Sequence, residues 1–101
     1  MKELDHPLPG QVWLVAYDIA DPKRLGKVAK TCLDYGVRLQ NSLFECNVSS
    51  EAFRELWERL EAIIDPEQDV LMACPICRAC LRRRTVAGRA PLRPPLEGFL
   101  F

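Results

Sequence analysis

Apolar residues run without a break from Val12 to Tyr17, and the run stops at a carboxylate, Asp18. A continuous stretch rich in Val and Leu, closed by polar turn residues, predicts a buried strand over Gln11–Asp18. Asp21-Pro22 then reads as a helix start, with Asp as N-cap and Pro in the first turn. Leu25, Val28, Ala29, Cys32 and Leu33 recur at helical spacing, and Gly36 suits a C′ position with positive φ.

The segment Val37–Val48 is rich in strand formers. Its alternation runs through Val37 and Leu39, slips, and resumes at Leu43 and Glu45. Gln40-Asn41-Ser42 predicts a tight turn or a bulge that divides it into two short strands. Ser49 or Ser50 caps a second helix carrying Phe53, Leu56, Trp57, Leu60 and Ile64 on one face, ended at Asp65-Pro66. A fourth strand is predicted over Asp69–Ala73. After it come CPICRAC, an arginine-rich stretch, the proline-rich 90–95, and an apolar end, Gly98-Phe99-Leu100-Phe101.

The order is β-α-β-β-α-β plus a tail. The economical packing is an α+β, ferredoxin-like sandwich: one antiparallel sheet with two helices on one face. A single domain over 1–101 is expected, with its core at about 11–75 and an extension at about 76–101 used in dimerisation. Phe99–Phe101 would form a short last strand that shelters on a sheet edge, its own or a partner subunit's.

Composition narrows the setting. The chain has 101 residues, 49% apolar and 28% charged, with formal net charge zero. There is thus no global attraction to nucleic acid, but charge is unevenly placed. Residues 51–69 are acid-rich, whereas 78–93 hold Arg78, Arg82, Arg83, Arg84, Arg89 and Arg93 and no acid. No apolar run reaches the roughly 18 residues of a membrane span, and MKELDHPLPG lacks the apolar core of a signal peptide. A cytoplasmic protein with no membrane partner and reduced thiols is expected.

Asp18 at the mouth of a strand, beside a helix bearing Lys23, Arg24 and Lys27, places a hard oxygen ligand next to cations suited to phosphate. Against this, an Asp often merely ends a strand, and basic residues on a helix face are often only solvated. Lys23, Lys27 and Lys30 share one face by spacing. Asp21 reads as the cap rather than a ligand. Cys74, Cys77 and Cys80 have spacing that can reach one zinc, but a fourth ligand would have to come from Cys32, Cys46 or His6. Zinc there is not expected. Nor does Pro75-Ile76 predict the helix that follows a strand at thioredoxin-like CxxC sites, so the reading is reduced thiols near a strand end.

Tyr17-Asp18-Ile19, Asp21, Lys23-Arg24 and Lys27-Val28 match a further pattern, continued by Leu33-x-Tyr35-Gly36-x-Arg38-x-Gln40-x-Ser42-Leu43-Phe44-Glu45, Asp69 and Cys77-Arg78-Ala79-Cys80. Taken together, these residues resemble the CRISPR-associated protein 2 family over nearly the whole chain. The chain departs from that pattern at Leu25 and Gly26, where an extra Arg or a polar residue is often seen.

The resemblance implies a ferredoxin-like homodimer that acts in CRISPR spacer acquisition, with the integrase subunit, CRISPR-associated protein 1, and RNA or DNA as partners. It also implies a magnesium-dependent endonuclease site at the dimer axis, with Asp18 as catalytic and metal residue. Lys23, Arg24, Lys27 and Arg38 would contact nucleic acid, supported by Tyr17, Ser42 and Phe44. The alternative is a non-catalytic scaffold that bridges the integrase subunits and binds duplex DNA. Arg38, Ser42 and Phe44 read equally well as a surface Arg, a turn Ser and a core Phe, and Tyr17 as a core aromatic.

Overall fold

A computed structural model describes residues 10–88. The elements are β1 (Gln11–Asp18), α1 (Pro22–Leu33), β2 (Val37–Gln40), β3 (Leu43–Val48), α2 (Ser50–Ile63), β4 (Val70–Ile76) and α3 (Arg78–Arg82). The sheet order is β2-β3-β1-β4, and every neighbouring pair is antiparallel. This is the ferredoxin-like arrangement expected from the element order.

Local chemistry sets the helix starts. The Asp21 side chain accepts from Arg24 N at 2.9 Å, with Pro22 in the first turn. Ser49, not Ser50, caps α2, its Oγ accepting from Ala52 N at 3.1 Å. The turn after β2 coincides with a register shift between Arg38 and Gln40, so the chain uses a turn and a bulge together.

Side chains alternate across the sheet. Val15, Tyr17, Phe44 and Cys46 face the helices and pack with Val28, Cys32, Leu56 and Leu60. Burying each large apolar side chain contributes about 1.5–3 kcal/mol. An aromatic ladder ties α2 to β1: Trp13 stacks on Phe53 with centroids 3.8 Å apart, and Phe53 stacks on Trp57 at 5.8 Å. Two residues expected on the apolar face of α1 lie outside the core, Leu25 at 40% and Leu33 at 54% exposure.

Gly36 does not take a positive φ; among the described residues only Gly88 does. The end of α1 is closed instead by the N–H groups of Asp34, Tyr35 and Gly36, which bond to carbonyls of Thr31 and Cys32. Gly36 is needed for another reason: a Cβ there would collide with the Glu45 carbonyl and the Cys46 side chain of β3.

The opposite sheet face carries Leu14, Ala16, Asp18, Leu43, Glu45, Val70, Met72, Cys74 and Ile76. β4 runs three residues beyond the expected Ala73, into the cysteine segment. α3 then folds back over this face, with Leu81 packed on Val12 and Ile76. Part of the expected dimerisation extension therefore packs on its own chain. Val70 and Met72 stay 60% and 59% exposed. The strand expected around Phe99–Phe101 lies outside the described residues.

Candidate nucleic-acid and metal site

Asp18 closes β1 with its side chain on the sheet face away from α1 and α2, paired in register with Val70 and exposed. Among the described residues no cation or N–H pairs with its carboxylate, and no three His, Cys, Asp or Glu side chains converge as a metal cluster. One chain thus offers a single solvated carboxylate. That fits magnesium, which takes one or two carboxylates and keeps several waters.

The loop that follows Asp18 is held by a residue whose role the sequence reading did not assign. Asp69 is fully buried in its side chain and accepts four hydrogen bonds. Arg24 donates Nε to Oδ2 at 2.8 Å and Nη2 to Oδ1 at 3.2 Å. The backbone N–H of Ala20 donates to Oδ1 at 2.9 Å and that of Asp65 to Oδ2 at 2.8 Å. The Arg24 hydrogen bonds, aided by the Asp65 and Ala20 N–H groups, hold this carboxyl well below the usual carboxylate range. Asp69 thereby fastens the β1–α1 loop, the first turn of α1 and the α2–β4 turn to one another. The only sequence signal was an Asp matching the family pattern just before an apolar strand.

Arg24 is accordingly turned inward, its side chain 25% exposed. Lys23, Lys27 and Lys30 stay exposed on α1. No acid occurs in the first turn of α1 to offset them.

The remaining expected residues gather on the other side of the sheet. The Tyr17 hydroxyl donates to the Asn41 carbonyl at 3.2 Å, and the Tyr17 N–H to the Ser42 carbonyl at 3.2 Å. Tyr17 stacks on Phe44 at 6.1 Å, and the Arg38 guanidinium lies over the Phe44 ring at 5.3 Å. Burial pushes the Tyr17 hydroxyl up, partly countered by a hydrogen bond with Arg38. The sheet thus separates the expected set. Asp18 lies on the face away from α1 and α2, and Tyr17 and Phe44 lie in the core beneath those two helices, with Arg38 at its rim. Ser42 takes part through its backbone carbonyl, in the turn that receives Tyr17.

Glu45 is fully buried on the face that α3 covers, beneath Arg84, whose Nη1 donates to Oε1 at 3.0 Å. Among the described residues its Oε2 has no hydrogen-bond partner. Burial pushes its carboxyl up, and Arg84 opposes this. Beside it, Arg84 to Ala87 and Leu81 wall a cavity of about 420 Å³ floored by Leu14, Leu39 and Leu43.

Residues 11–84 match the family described as CRISPR associated protein Cas2. The chain is 38% identical over 84 residues to CRISPR-associated endoribonuclease Cas2 3 of Synechocystis sp., covering 83% of this chain and 91% of that protein. It is 46% identical over 63 residues to CRISPR-associated endonuclease Cas2 of Halalkalibacterium halodurans, covering 57% and 66%. Among solved structures, Streptococcus pyogenes Cas2 at pH 6.5 superposes with a TM-score of 0.71 at 40% identity, over 76% of this chain and 99% of that one. A hypothetical protein, TT1823 of Thermus thermophilus, gives 0.73 at 34% identity, over 81% and 95%. The sheet order, the strand-end aspartate and these likenesses agree: the chain belongs to the CRISPR-associated protein Cas2 family.

Proposed function

We propose that the protein is a nucleic-acid-binding homodimer of CRISPR spacer acquisition, with a magnesium-dependent phosphodiesterase site built from Asp18 of both chains. One observation carries this: an exposed Asp18, unpaired among the described residues, borders the exposed apolar residues Val70 and Met72 on the sheet face away from α1 and α2. Apposing two such faces buries the apolar strip and brings the two carboxylates towards one axis. Their mutual repulsion favours a shared divalent cation. When bound, such an ion supplies a more acidic water and charge stabilisation at phosphorus.

The chain's own residues do the rest. Asp18 would hold the ion. Lys23 and Lys27, with Lys30, hold the phosphodiester backbone by sequence-independent contacts. Arg24 acts at one remove, since it and Asp69 fix the loop that aims Asp18. Arg38, exposed and lying over the Phe44 ring, would add a further phosphate contact. Family membership supports CRISPR-associated protein 1 as the protein partner and RNA or DNA as substrate.

A second reading, a non-catalytic scaffold that bridges integrase subunits on duplex DNA, is favoured by one observation: among the described residues no three His, Cys, Asp or Glu side chains converge to hold a metal. Magnesium-titrated cleavage of RNA and of duplex DNA, wild type beside Asp18→Ala, separates them. Cleavage by the wild type that the variant loses supports the phosphodiesterase. No cleavage by either, with duplex binding kept, supports the scaffold.

A further inference from the structure

The cysteines after β4 do not act as three equals. Cys74 lies within a strand that stays extended to Ile76. Three extended residues span about 10 Å, whereas a disulfide needs its Cα atoms within about 7 Å. Cys74 and Cys77 are therefore out of bonding range. Cys77 and Cys80 bracket one helical turn instead, which brings such residues to about 5–6 Å. Cys77 is the N-cap of α3, and its Sγ accepts the Cys80 N–H at 3.3 Å. The helix that Pro75-Ile76 did not predict therefore opens at the first cysteine of the pair.

From this we infer that Cys77 and Cys80 form a thiol–disulfide exchange site whose substrate is a small anionic disulfide of the oxidised-glutathione class. The inference is independent of the nuclease reading and uses none of its residues.

Three further observations converge on it. Both thiols are exposed, whereas Cys32 and Cys46 are buried. Burial pushes those two up to about 12 and about 11, which leaves them protonated and inert. The exposed pair is asymmetric: the Cys80 N–H, donating to the Cys77 sulfur, lowers the Cys77 thiol, whereas the neighbouring Cys77 sulfur raises Cys80. That supplies an attacking and a resolving cysteine. The surroundings are cationic, with Arg78, Arg82 and Arg83 close by in sequence and no acid anywhere from Val70 to Gly88. Carboxylates of an incoming disulfide meet a cationic segment there.

The exchange balances as follows. The Cys77 thiolate attacks one sulfur of the external disulfide, whose S–S bond breaks and releases one thiolate. The Cys80 thiol then gives its proton to solvent, and its sulfur attacks Cys77 in the mixed disulfide. This releases the second external thiolate. The protein dithiol is oxidised by two electrons, and one external disulfide becomes two thiols.

The test uses the full reduced chain in glutathione buffers of stepped ratio, quenched in acid, alkylated and mapped by peptide mass spectrometry. The expected result is a Cys77–Cys80 disulfide that forms as the buffer becomes oxidising and reverses with reduced glutathione. Cys80→Ser should halt at a stable glutathione adduct on Cys77, formed severalfold faster than any adduct on Cys74 of the same molecule. A disulfide mapped through Cys74 would overturn the inference. So would equal adduct rates at Cys74 and Cys77, or unchanged dithiol under fully oxidised glutathione.

Discussion

Arg24 and Asp69, 45 residues apart, meet through two parallel hydrogen bonds of 2.8 and 3.2 Å, the carboxylate wholly buried and the guanidinium three-quarters covered. The planar fork of arginine matches the two carboxylate oxygens, so lysine is no substitute.

Asp69→Asn removes one charge and leaves Arg24 unpaired. The thermal midpoint at neutral pH should fall, on the order of 10 °C for a domain of this size. The folded pKa is depressed, so this stabilisation is complete above the unfolded value near 3.9 and disappears as pH falls through the folded one. The gap between wild type and variant in thermal melts should therefore begin to narrow only below about pH 4 and keep shrinking as the pH falls further. A gap that persists unchanged at the acid end would mean that shape, not charge, makes the contact. Arg24→Ala should lower stability too, and its effect on nucleic-acid binding should vanish when binding is corrected for folded fraction.

Glu45 behaves with opposite sign. Its folded pKa is raised, so its contribution is greatest below the unfolded value near 4.3 and is lost as pH rises. Glu45→Gln keeps an acceptor for Arg84 without a buried charge. Urea midpoints should move in favour of the variant as pH rises above that value. A shift in favour of the wild type would show that Arg84 more than offsets burial.

The α1 lysines should reveal themselves through salt. If Lys23 and Lys27 contact phosphates, each alanine replacement should reduce the slope of log binding constant against log salt by about 0.9 on duplex DNA. Unaltered slopes with both replaced would remove α1 from the interface. Asp18→Ala should leave stability within about 0.5 kcal/mol of wild type, since the residue is exposed and unpaired. Loss of cleavage in that variant is then not a folding effect.

Two glycines should answer alanine in opposite directions. At Gly26, inside α1, an added Cβ meets nothing within 4 Å. Gly26→Ala should stabilise by about 0.5–1 kcal/mol through the usual helix preference. Gly36→Ala should destabilise by about 1–3 kcal/mol, because the Glu45 carbonyl is backbone that must move. Denaturant midpoints measure both.

What was legible in the sequence was local. The apolar run of β1, the Asp21-Pro22 cap and the Leu56/Leu60 stripe each carry their signal within a few residues, and each formed as expected. What escaped was non-local or short. Asp69 finds its partner 45 residues back. Gly36 reads as a helix stop until β3 is laid beside it. α3 spans five residues, too few for periodicity to register, so the helix that pairs Cys77 with Cys80 could not be read. For the site, Asp18 stood out because it ends an apolar run. That Tyr17 and Phe44 face the helices follows only once the strand register is known.

The aromatic ladder of Trp13, Phe53 and Trp57 has a practical consequence. Both tryptophans of the chain belong to it, on the helix-covered side. Intrinsic fluorescence is thus a private reporter of how α2 seats on β1. Self-association through the far face of the sheet, or a redox change at α3, should pass optically silent, while melting of the helix layer should not. An emission shift on dimerisation would then be a sign that the two sides of this thin protein communicate.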